Sequence, residues 1–133
     1  MEKIRIRYYS KLGHTKKIAD YIAKYLKLEA KEISDDDFID GSEILFLGGA
    51  PYANVMDKKL KEYVEKLRPK DAKRVVLFTT SNWSRRTALS IKKTLKEKGL
   101  KVDDKYLYVH MLKINSAEEK TINFIKKVLN DEE

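Results

Sequence analysis

A short turn near the amino terminus carries residues whose types and spacing suit the binding of an anion. It links an apolar segment to a periodic, helix-forming one, and it contains two hydroxyl groups and a glycine. Its residues are Ser10, Lys11, Leu12, Gly13, His14 and Thr15. Backbone N–H groups, hydroxyl hydrogens and the dipole of the following helix would all point toward one small volume there. Phosphate is the first ligand to expect; the alternative is that Ser10 or Thr15 only caps the helix.

A second candidate loop follows the apolar run at residues 44–47. It comprises Gly48, Gly49, Ala50, Pro51, Tyr52, Ala53 and Asn54. Its small residues let a ligand approach the backbone, Pro51 gives a rigid kink, and Tyr52 offers an aromatic face. These properties suit a planar ring.

A third candidate loop follows the apolar run at residues 75–78. It comprises Thr79, Thr80, Ser81, Asn82 and Trp83, which bring hydroxyls, an amide and the only tryptophan. The first loop offers hydrogen-bond donors for a phosphate, and the other two offer aromatic rings. Together they suit a phosphorylated planar heterocycle. Trp83 either stacks on such a ring or fills the start of the next helix; we favour stacking, with Tyr52 on the opposite ring face.

Alternating strands and helices must position these three loops. Apolar runs and alternating patterns predict strands over residues 4–9, 28–33, 44–47, 75–78 and 102–109. Apolar residues at three-four spacing predict helices over residues 15–26, 57–67, 84–98 and 117–129. Residues 34–42 are too acidic and too few for a full crossover helix, so we expect at most one turn there, with Phe38 and Ile39 facing inward.

This alternation predicts an α/β fold, a three-layer sandwich around a five-stranded parallel sheet. Parallel neighbours need crossover connections, and continuous apolar strands need cover on both faces. Ligands of such sheets bind beyond the carboxyl ends of the strands, at the point where the strand order reverses. The three candidate loops all follow strands, so they would meet at this edge.

The composition predicts one domain over residues 1–133, because 133 residues with 42% hydrophobic content can bury a single core but not two. The chain has zero cysteines, which excludes disulfides, thiolate catalysis and cysteine-ligated metals. The uninterrupted apolar runs are too short for a membrane span. We therefore expect a cytoplasmic monomer.

The net charge of +8 is concentrated in two blocks, with +6 over residues 1–27 and +7 over residues 69–99. Residues 28–42 carry −5. A basic surface attracts nucleic acid, an anionic membrane or an acidic protein, and charge alone does not separate these partners.

The three loops, in this order, resemble those of the flavodoxins and flavodoxin-like FMN proteins. In the first turn Ser10, Gly13 and Thr15 match the phosphate loop of that family. Residues 48–54 resemble the glycine-small-Pro-Tyr-Ala segment beside the isoalloxazine ring, and residues 78–81 are similar to the strand end that leads to the third flavin loop. The resemblance implies strand order 2-1-3-4-5 and a bound FMN.

The resemblance also implies a function, that of a one- or two-electron carrier. The cofactor contacts it implies are the six residues of the first turn, Ala50 to Asn54 in the second loop, and Thr80 to Trp83 in the third. His14 either touches the phosphate or is a neutral surface side chain, and its backbone N–H is the safer contact.

Two alternatives to an electron carrier stay open. One is an FMN-dependent NAD(P)H or quinone-type reductase, and the other is a flavin-free basic binding module. The sequence has no nucleophile elbow, no metal-spaced histidine pair and no P-loop lysine, so we name no catalytic or metal-binding residue. An electron carrier is therefore favoured over an enzyme that turns over a substrate.

Two departures from the flavodoxin pattern affect these expectations. Leu12 replaces a hydroxyl of the phosphate loop, which removes a hydrogen bond worth about 1.5–3 kcal/mol to a charged group. Arg5 and Arg7 lie on a strand that should be covered on both faces, and burying them unpaired would be very costly. We expect that the 34–42 connection leaves this face partly open, or that acidic side chains between Asp35 and Asp37 reach the arginines.

The basic charge also separates this chain from ordinary flavodoxins, whose surfaces are acidic. A positive field should ease the second reduction of the flavin and favour redox partners with an acidic docking surface. Nucleic acid is not the expected partner, but charge does not exclude it.

Overall fold

The computed structural model describes residues 3–10, 13–34, 39, 41–49, 58–80 and 86–130. The strands are β1 Ile4–Tyr8, β2 Ala30–Glu32, β3 Ser42–Gly48, β4 Ala72–Thr79 and β5 Leu107–Tyr108. The helices are α1 His14–Leu26, α2 Lys58–Lys66, α3 Arg86–Glu97 and α4 Glu118–Asn130. Within the described ranges no helix is long and apolar enough to cross a membrane.

The five strands form one sheet in the order β2-β1-β3-β4-β5, and all neighbouring pairs are parallel. In the centre of the sheet, Ile6 pairs with Phe46 and Phe46 with Val76. The predicted fold class and strand order are therefore confirmed. The order reverses between β1 and β3, so the carboxyl ends of these strands flank the crevice where ligands of such sheets bind.

Helices cover both faces of the sheet. On one face α1 buries Ile18 and Ile22 and α4 buries Ile125 against the sheet. On the other face Leu60 of α2 and Leu95 of α3 are completely buried. Each of these side chains stabilises the fold by about 1.5–3 kcal/mol through burial. The burial of these side chains on one side of each helix accounts for the three-four apolar spacing from which the helices were predicted.

The fifth strand is much shorter than predicted. Instead of extending over residues 102–109, regular pairing is limited to Leu107 and Tyr108, and Val102 makes an isolated bridge to Val75. Between these points Asp103 accepts two hydrogen bonds of 2.7 Å from the Arg74 guanidinium. This bidentate pair adds to the two backbone hydrogen bonds at this point, in which the Val75 N–H donates to the Lys101 carbonyl at 2.9 Å and the Asp103 N–H donates to the Val75 carbonyl at 3.0 Å.

Other boundaries differ from the predictions by a few residues. The strands β3 and β4 are longer than the apolar runs at 44–47 and 75–78, while β2 is shorter than 28–33. A 3₁₀ helix over Met111–Ser116 was not predicted. Its first turn is fixed by the His110 imidazole, whose Nδ1 accepts a hydrogen bond from the Leu112 N–H at 3.1 Å.

Both arginines of β1 have polar partners. Arg5 is half-buried and donates a hydrogen bond to Ser42 Oγ at 2.9 Å, while the buried Arg7 donates to the carbonyl of Ile6 at 3.0 Å. Ile39 is buried, as predicted for the connection between β2 and β3. The other predicted participants, residues 35–38, lie outside the described residues.

Candidate functional site

The turn after β1 is shaped by Gly13, which occupies the N-cap position of α1 in the left-handed conformation, with φ 89° and ψ −5°. A Cβ atom at this position would meet nothing within 4 Å, so the requirement for glycine comes from the backbone angle and not from crowding. The carbonyl of Gly13 accepts a hydrogen bond from the Lys17 N–H at 3.2 Å. The chain thus passes directly from the turn into the helix.

The first turn of α1 has the properties of an anion site. Glycine has no side chain with which to cap the helix, and the described structure shows no side-chain hydrogen bond at this cap. The first-turn N–H groups have no intrahelical partners. The turn contains no acidic residue, and the exposed Lys16 and Lys17 add positive charge. Among the two interpretations of the turn, this geometry favours the anion site over simple capping by Ser10 or Thr15.

Thr15 and Thr80 connect two of the predicted loops. Their hydroxyl oxygens lie 3.0 Å apart, and both side chains are buried. Thr15 is in the first turn of α1, and Thr80 directly follows β4, 65 residues later. The structure therefore brings the first and third candidate loops together at the carboxyl edge of the sheet.

The glycines at the end of β3 are required by packing inside the protein. A Cβ atom on Gly48 would come within 2.1 Å of the Phe78 ring, and one on Gly49 within 2.3 Å of Leu60. The backbone continues the sheet here, since the Tyr9 N–H donates to the Gly48 carbonyl at 3.0 Å. The space that a side chain would occupy at these two glycines is thus filled by protein atoms.

A third threonine at this edge, Thr79, has a hydroxyl without a hydrogen-bond partner among the described residues. Thr79 continues the alternation of Val75 and Leu77 on the α2/α3 face of the sheet, and it is 2% exposed. Within the described part of the chain its Oγ1 finds no hydrogen-bond partner. A buried polar atom without a partner is uncommon, so this hydroxyl fits a polar ligand at the site. Thr79 was not among the predicted contacts, although its place at a strand end was a usable signal.

The aromatic half of the predicted site stays a prediction. Ser10 and His14 are half-buried at the turn. The remaining predicted contacts lie outside the described residues; they are Lys11, Leu12, Ala50, Pro51, Tyr52, Ala53, Asn54, Ser81, Asn82 and Trp83.

Tyr8 is an ionisable group beside the turn that the sequence did not single out. Burial raises the pKa of its phenol, and the ammonium of Lys16 opposes this shift. A hydrogen bond to Asp20, 3.2 Å away, in turn raises the pKa of Lys16. Tyr8 is therefore neutral and Lys16 positively charged beside the candidate anion site.

The fold is shared with several solved structures. A flavodoxin from the domain Archaea is 17% identical, with a TM-score of 0.71, and the match covers 96% of this chain and 99% of that one. Oxidised Flavodoxin 2 from Bacillus cereus is 20% identical, with a TM-score of 0.71 and coverage of 94% and 99%. A flavoprotein from Lactobacillus acidophilus, solved in complex with FMN, is 18% identical, with a TM-score of 0.62 and coverage of 87% and 98%.

The sequence itself also matches a known family. No curated protein sequence matches the chain significantly. The family model Flavodoxin_5, which describes a flavodoxin domain, matches residues 5–133. Since this match spans nearly the whole chain, the protein belongs to the flavodoxin domain family.

Proposed function

We propose that this protein binds FMN non-covalently and transfers one or two electrons through it. The observation that carries the proposal is the Thr15–Thr80 contact beside the Gly13-capped start of α1. Hydroxyl groups and helix N–H groups that have no intrahelical partner lie there, at the carboxyl edge of the sheet. The FMN complex of the structurally similar Lactobacillus acidophilus flavoprotein supports the choice of flavin.

The described residues fit the phosphate end of FMN. The first-turn N–H groups of α1 and the hydroxyls of Ser10 and Thr15 would hold the phosphate, and the positive end of the helix dipole would stabilise its charge. Thr80, with Tyr52 and Trp83 as predicted from the sequence, would hold the ring. FMN supplies the redox chemistry when bound, and the protein supplies binding, orientation and the electrostatic field.

The charge of the protein should tune the cofactor. At +8 the chain carries a field that favours the more negative, fully reduced flavin. One unit charge about 10 Å from the ring, at an effective dielectric of about 20, contributes roughly 1.7 kcal/mol before screening by salt. We infer that the second reduction is easier here than in acidic flavodoxins.

The same charge supports an acidic redox partner. Helices α2 and α3 pack side by side on one face of the sheet, and both carry exposed lysines. The side chain of Lys58, the first residue of α2, is 89% exposed. Parallel topology places the amino termini of both helices at the carboxyl edge of the sheet, so acidic groups of a partner could approach the proposed flavin from this side.

A flavin titration tests the proposal. FMN fluorescence should be quenched on addition of the protein, and Thr80→Val should weaken binding severalfold, because it removes a hydroxyl at the site. Thr121→Val is the matched control. It also removes a buried hydroxyl, but this one lies in α4 and donates to the carbonyl of Ala117, just before the helix and away from the candidate loops.

Two results would oppose the proposal. Absence of quenching at high protein concentration would leave a flavodoxin-like module without flavin. Rapid reduction of bound flavin by NADH or NADPH alone would instead favour a reductase.

A further inference from the structure

A groove of about 850 Å³ lies along the edge of the sheet between β5 and α4. Its floor is the segment from Asp104 to Tyr108, and its wall is formed by Ser116 and by one side of α4, from Glu119 to Lys127. Pockets that bind small molecules measure about 300–1,000 Å³, so the groove has a suitable size. The predicted flavin loops follow β1, β3 and β4, and of the residues of these loops that the structure describes, none lines this groove.

Aromatic side chains form the apolar part of the groove. Its lining contains Tyr106 and Tyr108 from the strand side and Phe124 from α4. All three are half-buried, so each ring packs against the protein and keeps an accessible part. Aromatic faces and edges of this kind favour planar, aromatic ligands.

Lys120 is held beside these rings by a hydrogen bond to the edge strand of the sheet. The Val109 N–H donates to the Thr79 carbonyl, so the backbone groups of its neighbour Tyr108 point away from the sheet. The Tyr108 carbonyl accepts a hydrogen bond from Lys120 Nζ at 2.7 Å. An ammonium has three N–H donors, and this bond uses one of them.

The remaining charges of the groove leave a positive excess. Lys105 and Lys127 join Lys120 in the lining, against the carboxylates of Asp104 and Glu119. The carboxylate of Asp104 already forms ion pairs with two lysines of α3. Its Oδ1 lies 3.0 Å from Lys92 Nζ and 3.5 Å from Lys96 Nζ. Of the two acids, Glu119 is thus left to face the three lysines of the groove.

We propose that this groove binds a small planar aromatic anion. The ring lies against Tyr106 and Phe124, and the anionic group lies near Lys120 and Lys127. The binding is non-covalent and separate from the proposed flavin site. It therefore does not depend on whether FMN is bound.

The test uses 1-naphthoate as the probe and amide chemical shifts of the ¹⁵N-labelled protein as the readout, with and without FMN. The expected result is saturable shifts at residues 104–108 and 116–127 in both samples. The cation 1-naphthylmethylammonium and the non-aromatic anion methanesulfonate should each bind at least about tenfold more weakly, because each lacks one of the two recognised features. Shifts centred on residues 13–15, or equal binding of the cation, would overturn the proposal.

Surface variants sharpen the test. Lys127→Glu should weaken naphthoate binding about tenfold by replacing attraction with repulsion. Lys126→Glu is the matched control, since Lys126 is also exposed on α4 but is not among the residues that line the groove. Phe124→Leu keeps an apolar side chain in the core and should weaken binding about two- to tenfold.

The competing explanation is that Lys120 only covers the edge strand against association with other chains. Under that explanation naphthoate leaves the groove shifts unchanged, or Lys126→Glu and Lys127→Glu weaken binding equally. Either result rejects the proposal. Thermal unfolding of each variant confirms that a loss of binding is not a loss of fold.

Discussion

The hydroxyl oxygens of Thr15 and Thr80 lie 3.0 Å apart in the interior, although the two residues are separated by 65 positions in sequence. Their contact joins the start of α1 to the end of β4 at the carboxyl edge of the sheet. Each hydroxyl is buried, so removal of one partner leaves the other without this hydrogen bond. The stability of the fold and the geometry of the proposed phosphate site are therefore coupled here.

Replacement of Thr80 by valine should destabilise the protein by about 1–3 kcal/mol, the usual cost of leaving a buried hydroxyl unpaired. The double variant Thr15→Val/Thr80→Val should lose less than the sum of the two single variants, because neither hydroxyl is then left alone. Urea denaturation of the four proteins measures the difference. Strictly additive losses would show that the two hydroxyls do not interact.

Replacement of Gly13 by alanine should cost about 1–2 kcal/mol, since an L-residue with a Cβ atom is strained at φ 89°. It should also weaken FMN binding, because relaxation of the strain would turn the first-turn N–H groups away. Gly41→Ala is the matched control, with φ 79° and likewise nothing within 4 Å of the added Cβ. An equal loss of FMN affinity in both variants would contradict a specific role for Gly13.

The Arg74–Asp103 pair should contribute more to stability than an exposed ion pair. Its two hydrogen bonds measure 2.7 Å, and the side chains are only 18% and 21% exposed. Arg74 also donates to the Val128 carbonyl at 3.1 Å, so it connects β4, the segment before β5, and α4. We expect Asp103→Asn to cost about 1.5–3 kcal/mol in chemical denaturation.

The exposed pair Lys73–Glu43 provides the comparison for Asp103→Asn. Its atoms lie 3.1 Å apart, but the side chains are 76% and 39% exposed. Glu43→Gln should therefore change stability by less than about 1 kcal/mol. If both variants lose the same free energy of unfolding, the bidentate geometry of the Arg74–Asp103 pair does not stabilise the fold more than an exposed ion pair does.

We expect the free energy of unfolding to fall at alkaline pH as the buried phenol of Tyr8 ionises. Burial raises the pKa of its phenol above the usual 10.0, so the folded state holds the proton more tightly than the unfolded state. The resulting stabilisation is fully present below pH 10 and is lost as the pH rises through the pKa of the folded state. Ultraviolet titration of tyrosinate should show a late step that is absent in Tyr8→Phe. A titration unchanged by this substitution would place the late step on another tyrosine.

Local patterns in the sequence were sufficient for the layers and the order of helices and strands. The apolar runs at 44–47 and 75–78 predicted strands covered on both faces, and the three-four apolar spacing over residues 15–26 predicted α1. These patterns are reliable because burial on a strand or helix face repeats at a fixed period along the chain. The turn around Gly13 was also visible, since its residue types are those that a strand-to-helix anion site needs.

Contacts between distant residues were decided only by the tertiary structure. Three contacts join segments that are far apart in sequence. They are the Thr15–Thr80 contact, the packing of Phe78 beside Gly48, and the Arg74–Asp103 pair next to the shortened β5. Their distances depend on strand register and on how α1 and α4 pack, and neither quantity leaves a periodic signal in the chain. The groove between β5 and α4 has the same origin, because its two walls become neighbours only when α4 packs beside the edge of the sheet.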